Sequence, residues 1–167
     1  DAKQRIQRSI ESSNQAIRDL RSYILDLRPR QMGNDGLISG LKRLATEFRA
    51  NSLTEVTLTG PENDLMDLPP SMSLALFHIC QEALANAAKH SKAKRVEISL
   101  WYTDDRALME IRDDGKGFNM ENQDLRIGHG LANMQTRAAS AGGDLDISAA
   151  PGEGTTILAW VPRRKSK

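Results

Sequence analysis

Cysteine is almost missing: Cys80 stands alone in 167 residues, so no intramolecular disulfide can form, and a reducing compartment fits this usage. A zinc site of the Cys/His type is excluded by the same count. Charge of one sign is also lacking. Lys and Arg total 23 against 22 Asp and Glu, a formal +1 that leaves no broad basic field of the kind nucleic-acid binding draws on. No uncharged run approaches the roughly 20 apolar residues of a membrane-spanning helix, and nothing at the start reads as a secretory signal. Internal repeats and low-complexity stretches are absent as well. What remains is a chain long enough for one core plus a helical appendage.

That appendage comes first. Ile6, Ile10, Ser13, Ile17, Leu20, Ile24 and Leu27 recur at alternating spacings of 4 and 3, a heptad seam with one polar position at Ser13. The seam predicts either a partner helix or an amphipathic core helix. Arg28-Pro29 should end it, because the residue before proline is pushed out of the helical region. Leu37, Leu41, Leu44 and Phe48 predict a second amphipathic helix. Residues 54–59 alternate as a strand and stop at Gly60-Pro61. Pro69-Pro70-Ser71 opens a central helix expected to run to about His90. Val96, Ile98, Leu100 and Tyr102 alternate, a turn follows at 103–106, and Ala107, Met109 and Ile111 alternate on the return strand. Leu131, Met134 and Ala138 sit at helical spacing before Gly142-Gly143. Two further strands bury Leu145, Ile147 and Ala149, and Ile157, Ala159 and Val161. Helices and largely antiparallel strands segregated in this way predict an α+β fold, a two-layer sandwich. The tail from Arg163 to Lys167 reads as frayed.

Chemistry concentrates on the central helix. Glu82, Asn86 and Lys89 fall at i, i+4 and i+7 and share a face, while Leu76, Cys80, Leu84, Ala87 and Ala88 cover much of the rest. Polar groups buried without partners cost about 1–3 kcal/mol each, so this stripe requires a satisfied network, solvent or a polar ligand. His78 lies one turn before Glu82 and reads as a packed structural histidine. Asp113 shares its phase with Ala107, Met109 and Ile111, which turns its carboxylate inward, where it needs a donor such as the exocyclic amine of a purine. Gly115 and Gly117 follow it and allow the backbone close to a flat ring, although Asp-Gly is also a common turn. Gly128-His129-Gly130-Leu131 leads into a helix and Gly152-Glu153-Gly154-Thr155 into a strand. Glycine turns of this kind can cradle phosphate, each a weak signal alone. Thr155 is in phase with Ile157, Ala159 and Val161, so its hydroxyl should also point inward.

Taken in order, the Asn86 helix, Asp113-x-Gly115-x-Gly117, Gly128-x-Gly130-Leu131 and Gly152-x-Gly154-Thr155 resemble the N box and the three glycine boxes of the GHKL ATP-binding fold, shared by gyrase, Hsp90, MutL and sensor histidine kinases. The wording Gln81-Glu82-Ala83-Leu84-x-Asn86-Ala87-x-Lys89-His90-Ser91 is similar to the nitrate-sensor and DesK-like histidine kinases, and residues 17–29 to the end of that group's second dimerisation helix. The resemblance implies a Bergerat-type sandwich at 30–167 that binds ATP and Mg²⁺, with residues 1–29 as the C-terminal part of a dimerisation helix. Asp113 would accept from the adenine amine, with Gly117 and Thr155 completing the base pocket and Gly115 and Gly154 also binding the nucleotide. Asn86 would coordinate Mg²⁺ and Glu82 would hold a metal-bound water. Lys89 would reach the phosphates and His90 would lie beside the sugar or base. Gly128, His129, Gly130 and Leu131 would form the phosphate end of a mobile lid, and Gly152 the last box.

The histidine that such kinases phosphorylate, followed by an acidic residue on the first dimerisation helix, has no counterpart in His78, His90 or His129. The chain is therefore expected to be a piece of a cytoplasmic-facing parent, with or without a membrane anchor. Expected partners are ATP, a dimerisation domain carrying the acceptor histidine, and a response regulator with a DNA-binding output. Two other readings stay open: a GHKL protein-serine kinase of the anti-sigma-factor type, which would lack the heptad helix, and a non-catalytic interaction module in which the glycines only turn the chain.

Overall fold

The computed structural model describes residues 2–27, 31–63, 68–121 and 125–163, without the side chains of 15, 18, 19, 21–27 and 125–128. Helix α1 spans Ala2–Leu27. Its seam residues Ile6 and Leu20 are 61% and 62% exposed, so among the described residues the apolar stripe has no partner there. The side chains of Ile24 and Leu27, the stop at Arg28-Pro29 and the tail at 164–167 lie outside the described residues.

Helix α2, Leu37–Asn51, buries Leu37, Leu41, Leu44 and Phe48 as its 3.6-residue period demands. Strand β1, Glu55–Thr59, leads across to helix α3, Pro70–Asn86, which starts with proline in its first turn. Leu76, Ile79, Cys80 and Leu84 of α3 are almost wholly buried. Burial pushes the Cys80 thiol up to about 12, so it behaves as an inert apolar group. After Asn86 the helix does not stop. It widens into a π-helical turn, Ala87–Ser91, and leaves through Lys92 in the left-handed conformation.

Strands β2, Arg95–Tyr102, and β3, Arg106–Asp113, form the expected hairpin, closed by a hydrogen bond from the Thr103 N–H to the Arg106 carbonyl at 2.9 Å. Helix α4, Leu125–Ser140, ends where the N–H groups of Gly142 and Gly143 bond back to the carbonyls of Ala139 and Ala138. Strands β4, Asp144–Ala149, and β5, Thr155–Pro162, complete a sheet of order β1-β2-β3-β5-β4. The pairs β2–β3, β3–β5 and β4–β5 are antiparallel. The pair β1–β2 is parallel, which the intervening α3 crossover makes possible. Val56, Ile98, Met109 and Ala159, each nearly sealed from solvent, carry one face of the sheet onto the helices. This is the two-layer α+β sandwich that the residue pattern predicts.

The hairpin and the π turn are pinned together beside the site. Asp114, one residue past Asp113, points out of the core and accepts from the N–H groups of Lys94 and Arg95 at 2.8 and 2.9 Å. Those bonds hold its carboxyl below the ordinary range, the Arg95 N–H contributing most. Adjacent aspartates thus divide the labour, Asp114 fixing the start of β2 and Asp113 facing inward.

Candidate nucleotide site

Alternation along β3 sends Ala107, Met109, Ile111 and Asp113 to the helix side, and Asp113 is 9% exposed. Its Oδ1 accepts from the Gly115 N–H at 2.9 Å. Ser91 and Thr155 line the same cleft as this carboxylate. Burial pushes its pKa up from the usual value. The Gly115 N–H and the Ser91 hydroxyl pull it back, neighbouring Asp114 adds to the rise, and Thr155 lowers it a little. The result is a desolvated, oriented acceptor that costs stability when ionised.

A cleft opens over it, lined by Asn86, His90 and Ser91 from the helical side and by Asp113, Lys116, Gly117, Phe118, Leu131 and Thr155 among the residues of the sheet side, its loops and α4. Asn86, His90, Asp113, Gly117, Leu131 and Thr155, which the sequence singles out from distant stretches, therefore meet at one cavity. Asn86 Nδ2 is a buried nitrogen with no hydrogen-bond partner among the described residues. An unmet buried donor costs about 1–3 kcal/mol, which marks the position as one built for something else to complete. A half turn of the amide exchanges its nitrogen and oxygen, so the same position can offer oxygen to a hard cation.

Glycines let the walls close. A Cβ on Gly117 would collide with the Ala150 carbonyl, and one on Gly154 with the Asp113 carbonyl. Gly115 is pressed against Ser91. The Lys116 N–H donates to the Ser91 carbonyl at 2.7 Å and its own carbonyl accepts from the Gly152 N–H at 2.6 Å, which ties the π turn, the loop after β3 and the loop before β5 into one rim.

One expectation is corrected. Gly128, His129 and Gly130 do not lead into a helix; they lie inside α4, which already begins at Leu125. Two glycines in a helix cost about 1 kcal/mol each against alanine, and at Gly130 the close approach of α4 to α3 uses the space the missing side chain leaves. A Cβ on Gly130 would run into Glu82 Oε1 and reach within 3.4 Å of Asn86 Nδ2. Glu82 and Gly130 thus meet at the edge of the cleft. Lys89, His129 and Gly152 do not line it, and His129 is exposed. His78 is half-buried against Phe77 with its Nδ1 3.2 Å from Gln81 Oε1, a packing role as its position predicts.

Residues that periodicity missed are Ser91, Lys116 and Phe118. Ser91 closes the π turn on the cleft wall, and nothing in the apolar spacing marks that change of pitch. Lys116 and Phe118 stand between glycines already noted, which was the available signal.

Among the described residues no helix is long and apolar enough to cross a membrane, and no cluster of three or more His, Cys, Asp or Glu could hold a metal by itself.

Comparison with known proteins agrees with this geometry. Residues 72–165 match the family described as histidine kinase-, DNA gyrase B- and HSP90-like ATPase. The sensor histidine kinase MctS of Rhizobium johnstonii is 33% identical over the full chain and 36% of its own length. The sensor histidine kinase LiaS of Bacillus subtilis is 34% identical over 90% of the chain and 41% of its own length. The chain thus spans well under half of these relatives. Among solved structures, the ATP binding domain of PrrB from Mycobacterium tuberculosis superposes over 74% of this chain and 91% of its own with a TM-score of 0.57 at 23% identity, and the histidine kinase domain of a blue-light activated kinase from Erythrobacter litoralis over 76% and 61% with 0.59 at 18%. The match covers more than half of the chain and all four boxes, and on that ground this chain belongs to the histidine kinase-, DNA gyrase B- and HSP90-like ATPases.

Proposed function

We propose that this chain is the ATP-binding catalytic domain, residues 30–167, of a two-component sensor histidine kinase of the nitrate-sensor/DesK-like group, with residues 1–29 as the last part of its dimerisation helix. The observation that carries the reading is the convergence of Asp113, Thr155 and the incompletely bonded Asn86 on one glycine-walled cleft. Asp113, an acceptor only when ionised, selects a base that donates at that edge, as adenine does through its amine. Asn86 would supply an amide oxygen to Mg²⁺ and Glu82 would orient a water on it, the remaining ligands coming from phosphate oxygens. The cation's contribution is to offset charge on the phosphates. Lys89, Gly128, His129, Gly130 and Gly152 would take up the phosphate end after α4 shifts relative to α3, and His90 the sugar or base side. The exposed Ile6 and Leu20 of α1 support a helix that pairs with a second copy in the parent dimer.

Transfer of a γ-phosphoryl needs a nucleophile held in line with it. His78 packs within α3, His90 belongs to the cleft and His129 lies on α4, so none of the three is on α1. The acceptor is accordingly a histidine on a dimerisation domain other than these three, and the onward partner a response regulator with a DNA-binding output. With γ-labelled ATP, the chain alone is expected to gain no acid-labile phosphate, and to label a supplied dimerisation domain carrying the histidine. Acid-labile label on the chain itself contradicts this division. Acid-stable label on a protein serine favours instead the serine kinase of the anti-sigma-factor type.

A further inference from the structure

We propose that Asp114 is a positioning residue for nucleotide recognition: its carboxylate replaces its own main-chain carbonyl at the last rung between β2 and β3, which lets residues 115–117 turn over the cleft and aims the Gly115 N–H at Asp113.

This rests on the adenine-site reading above. The register sets Glu97 opposite Arg112 and Val96 opposite Asp113, so Arg95 stands opposite Asp114 one step on. In an antiparallel ladder every second opposed pair exchanges two main-chain bonds. The bond from the Thr103 N–H to the Arg106 carbonyl at the hairpin turn marks which pairs these are, and Arg95 with Asp114 falls in the same set. Half of that rung is ordinary. The Asp114 N–H donates to the Arg95 carbonyl at 3.2 Å. The return bond is not: the Arg95 N–H donates to Asp114 Oδ1 at 2.9 Å, and the Lys94 N–H to the same oxygen at 2.8 Å. A short side chain that accepts in place of the backbone ends a strand without leaving the neighbouring N–H unmet.

The consequence lies in the next peptide. With three bonds on residue 114, the peptide joining it to Gly115 is fixed in direction, and its N–H is the one that meets Asp113 Oδ1 at 2.9 Å. Gly115 is then seated against Ser91, whose carbonyl accepts from the Lys116 N–H at 2.7 Å. Asp114 itself is exposed and does not line the cleft, so it acts on the nucleotide only through this loop. Without its carboxylate, the Asp114 carbonyl is the acceptor that a regular ladder uses for the Arg95 N–H. Turning it back into the sheet swings the Gly115 N–H off Asp113.

The test compares Asp114→Ala with Asp114→Asn, which keeps a side-chain oxygen at the same reach, in the full chain. Amide hydrogen exchange comes first and needs no nucleotide. The Gly115 N–H should exchange at least about tenfold faster in Asp114→Ala and within about threefold of wild type in Asp114→Asn, while Met109 and Ile111 in β3 stay protected in both. Calorimetry then compares ATP with the triphosphate of purine riboside, which lacks the 6-amino group. Asp114→Ala should weaken ATP about tenfold and the analogue less than about threefold, and Asp114→Asn should keep most of the preference for ATP, because what is lost is the orientation of the acceptor for the amine. Unchanged Gly115 exchange in Asp114→Ala, equal losses for both nucleotides, or an Asn variant that behaves as Ala overturns the positioning role. Failure of the wild-type chain to bind ATP overturns the adenine-site reading, and the exchange data still decide whether Asp114 places the Gly115 N–H. If Asp114→Ala does not fold, Asp114→Glu, whose oxygens sit one methylene farther out, must speed Gly115 exchange where Asn does not; equal exchange in the two overturns the proposal.

Discussion

Asp113→Asn is expected to lower ATP affinity by at least tenfold while leaving the fold intact. The amide that replaces the carboxylate can turn its NH₂ toward the adenine amine, so a charged acceptor is exchanged for a weaker or opposing one; hydrogen bonds to charged groups are worth about 1.5–3 kcal/mol, or more than tenfold in binding. Burial raises the pKa of this carboxyl above its unfolded value. A raised carboxyl pKa means that the folded state holds its proton more tightly, so the group's contribution to stability declines as pH rises through the interval between the two values. At neutral pH the ionised carboxylate is therefore a cost to the unliganded fold. Removing it should leave the melting temperature of the unliganded chain unchanged or higher while ATP binding collapses. ATP affinity close to wild type, measured by calorimetry on a folded variant, sinks the assignment of Asp113 to the base.

The second large effect concerns the cation. Asn86→Ala should reduce ATP binding in the presence of Mg²⁺ by roughly an order of magnitude and reduce binding in EDTA far less, since a hard cation loses its protein oxygen ligand in one condition and nothing comparable in the other. The buried amide nitrogen without a partner makes the variant cheap for the fold, because alanine removes an unmet donor together with the side chain. Equal losses with and without Mg²⁺ show that Asn86 shapes the cleft and does not touch the cation. A drop in melting temperature large enough to account for the loss points the same way.

Much of this site was legible because strand alternation is a strict rule. Once Ala107, Met109 and Ile111 were inward, Asp113 had to be, and the same parity placed Thr155 with Ile157 and Ala159 on the paired strand, where the register sets Asp113 opposite Thr155. Helical spacing was equally firm for Leu131, Met134 and Ala138, all buried as expected. What periodicity could not carry was any departure from its own period. The π turn at 87–91 changes the pitch with no apolar residue to mark it, so Ser91 went unassigned. The glycines at 128 and 130 read as a loop because glycine disfavours helices, yet both lie in α4, and Gly130 faces Glu82 of α3 too closely for a Cβ. Parallel pairing of β1 was hidden as well, because the alternation of a five-residue strand says which face is buried and nothing about the direction of its neighbour.

An adenine-nucleotide site over Asp113 must distinguish a 6-amino purine from a 6-oxo purine. Calorimetric titration of the unmodified chain with ATP and with GTP, each with Mg²⁺, tests it most directly. One site per chain for ATP is expected, with GTP at least tenfold weaker because its 6-oxo group sets an acceptor against the Asp113 carboxylate. No heat with either nucleotide, or equal affinity for both, contradicts the account.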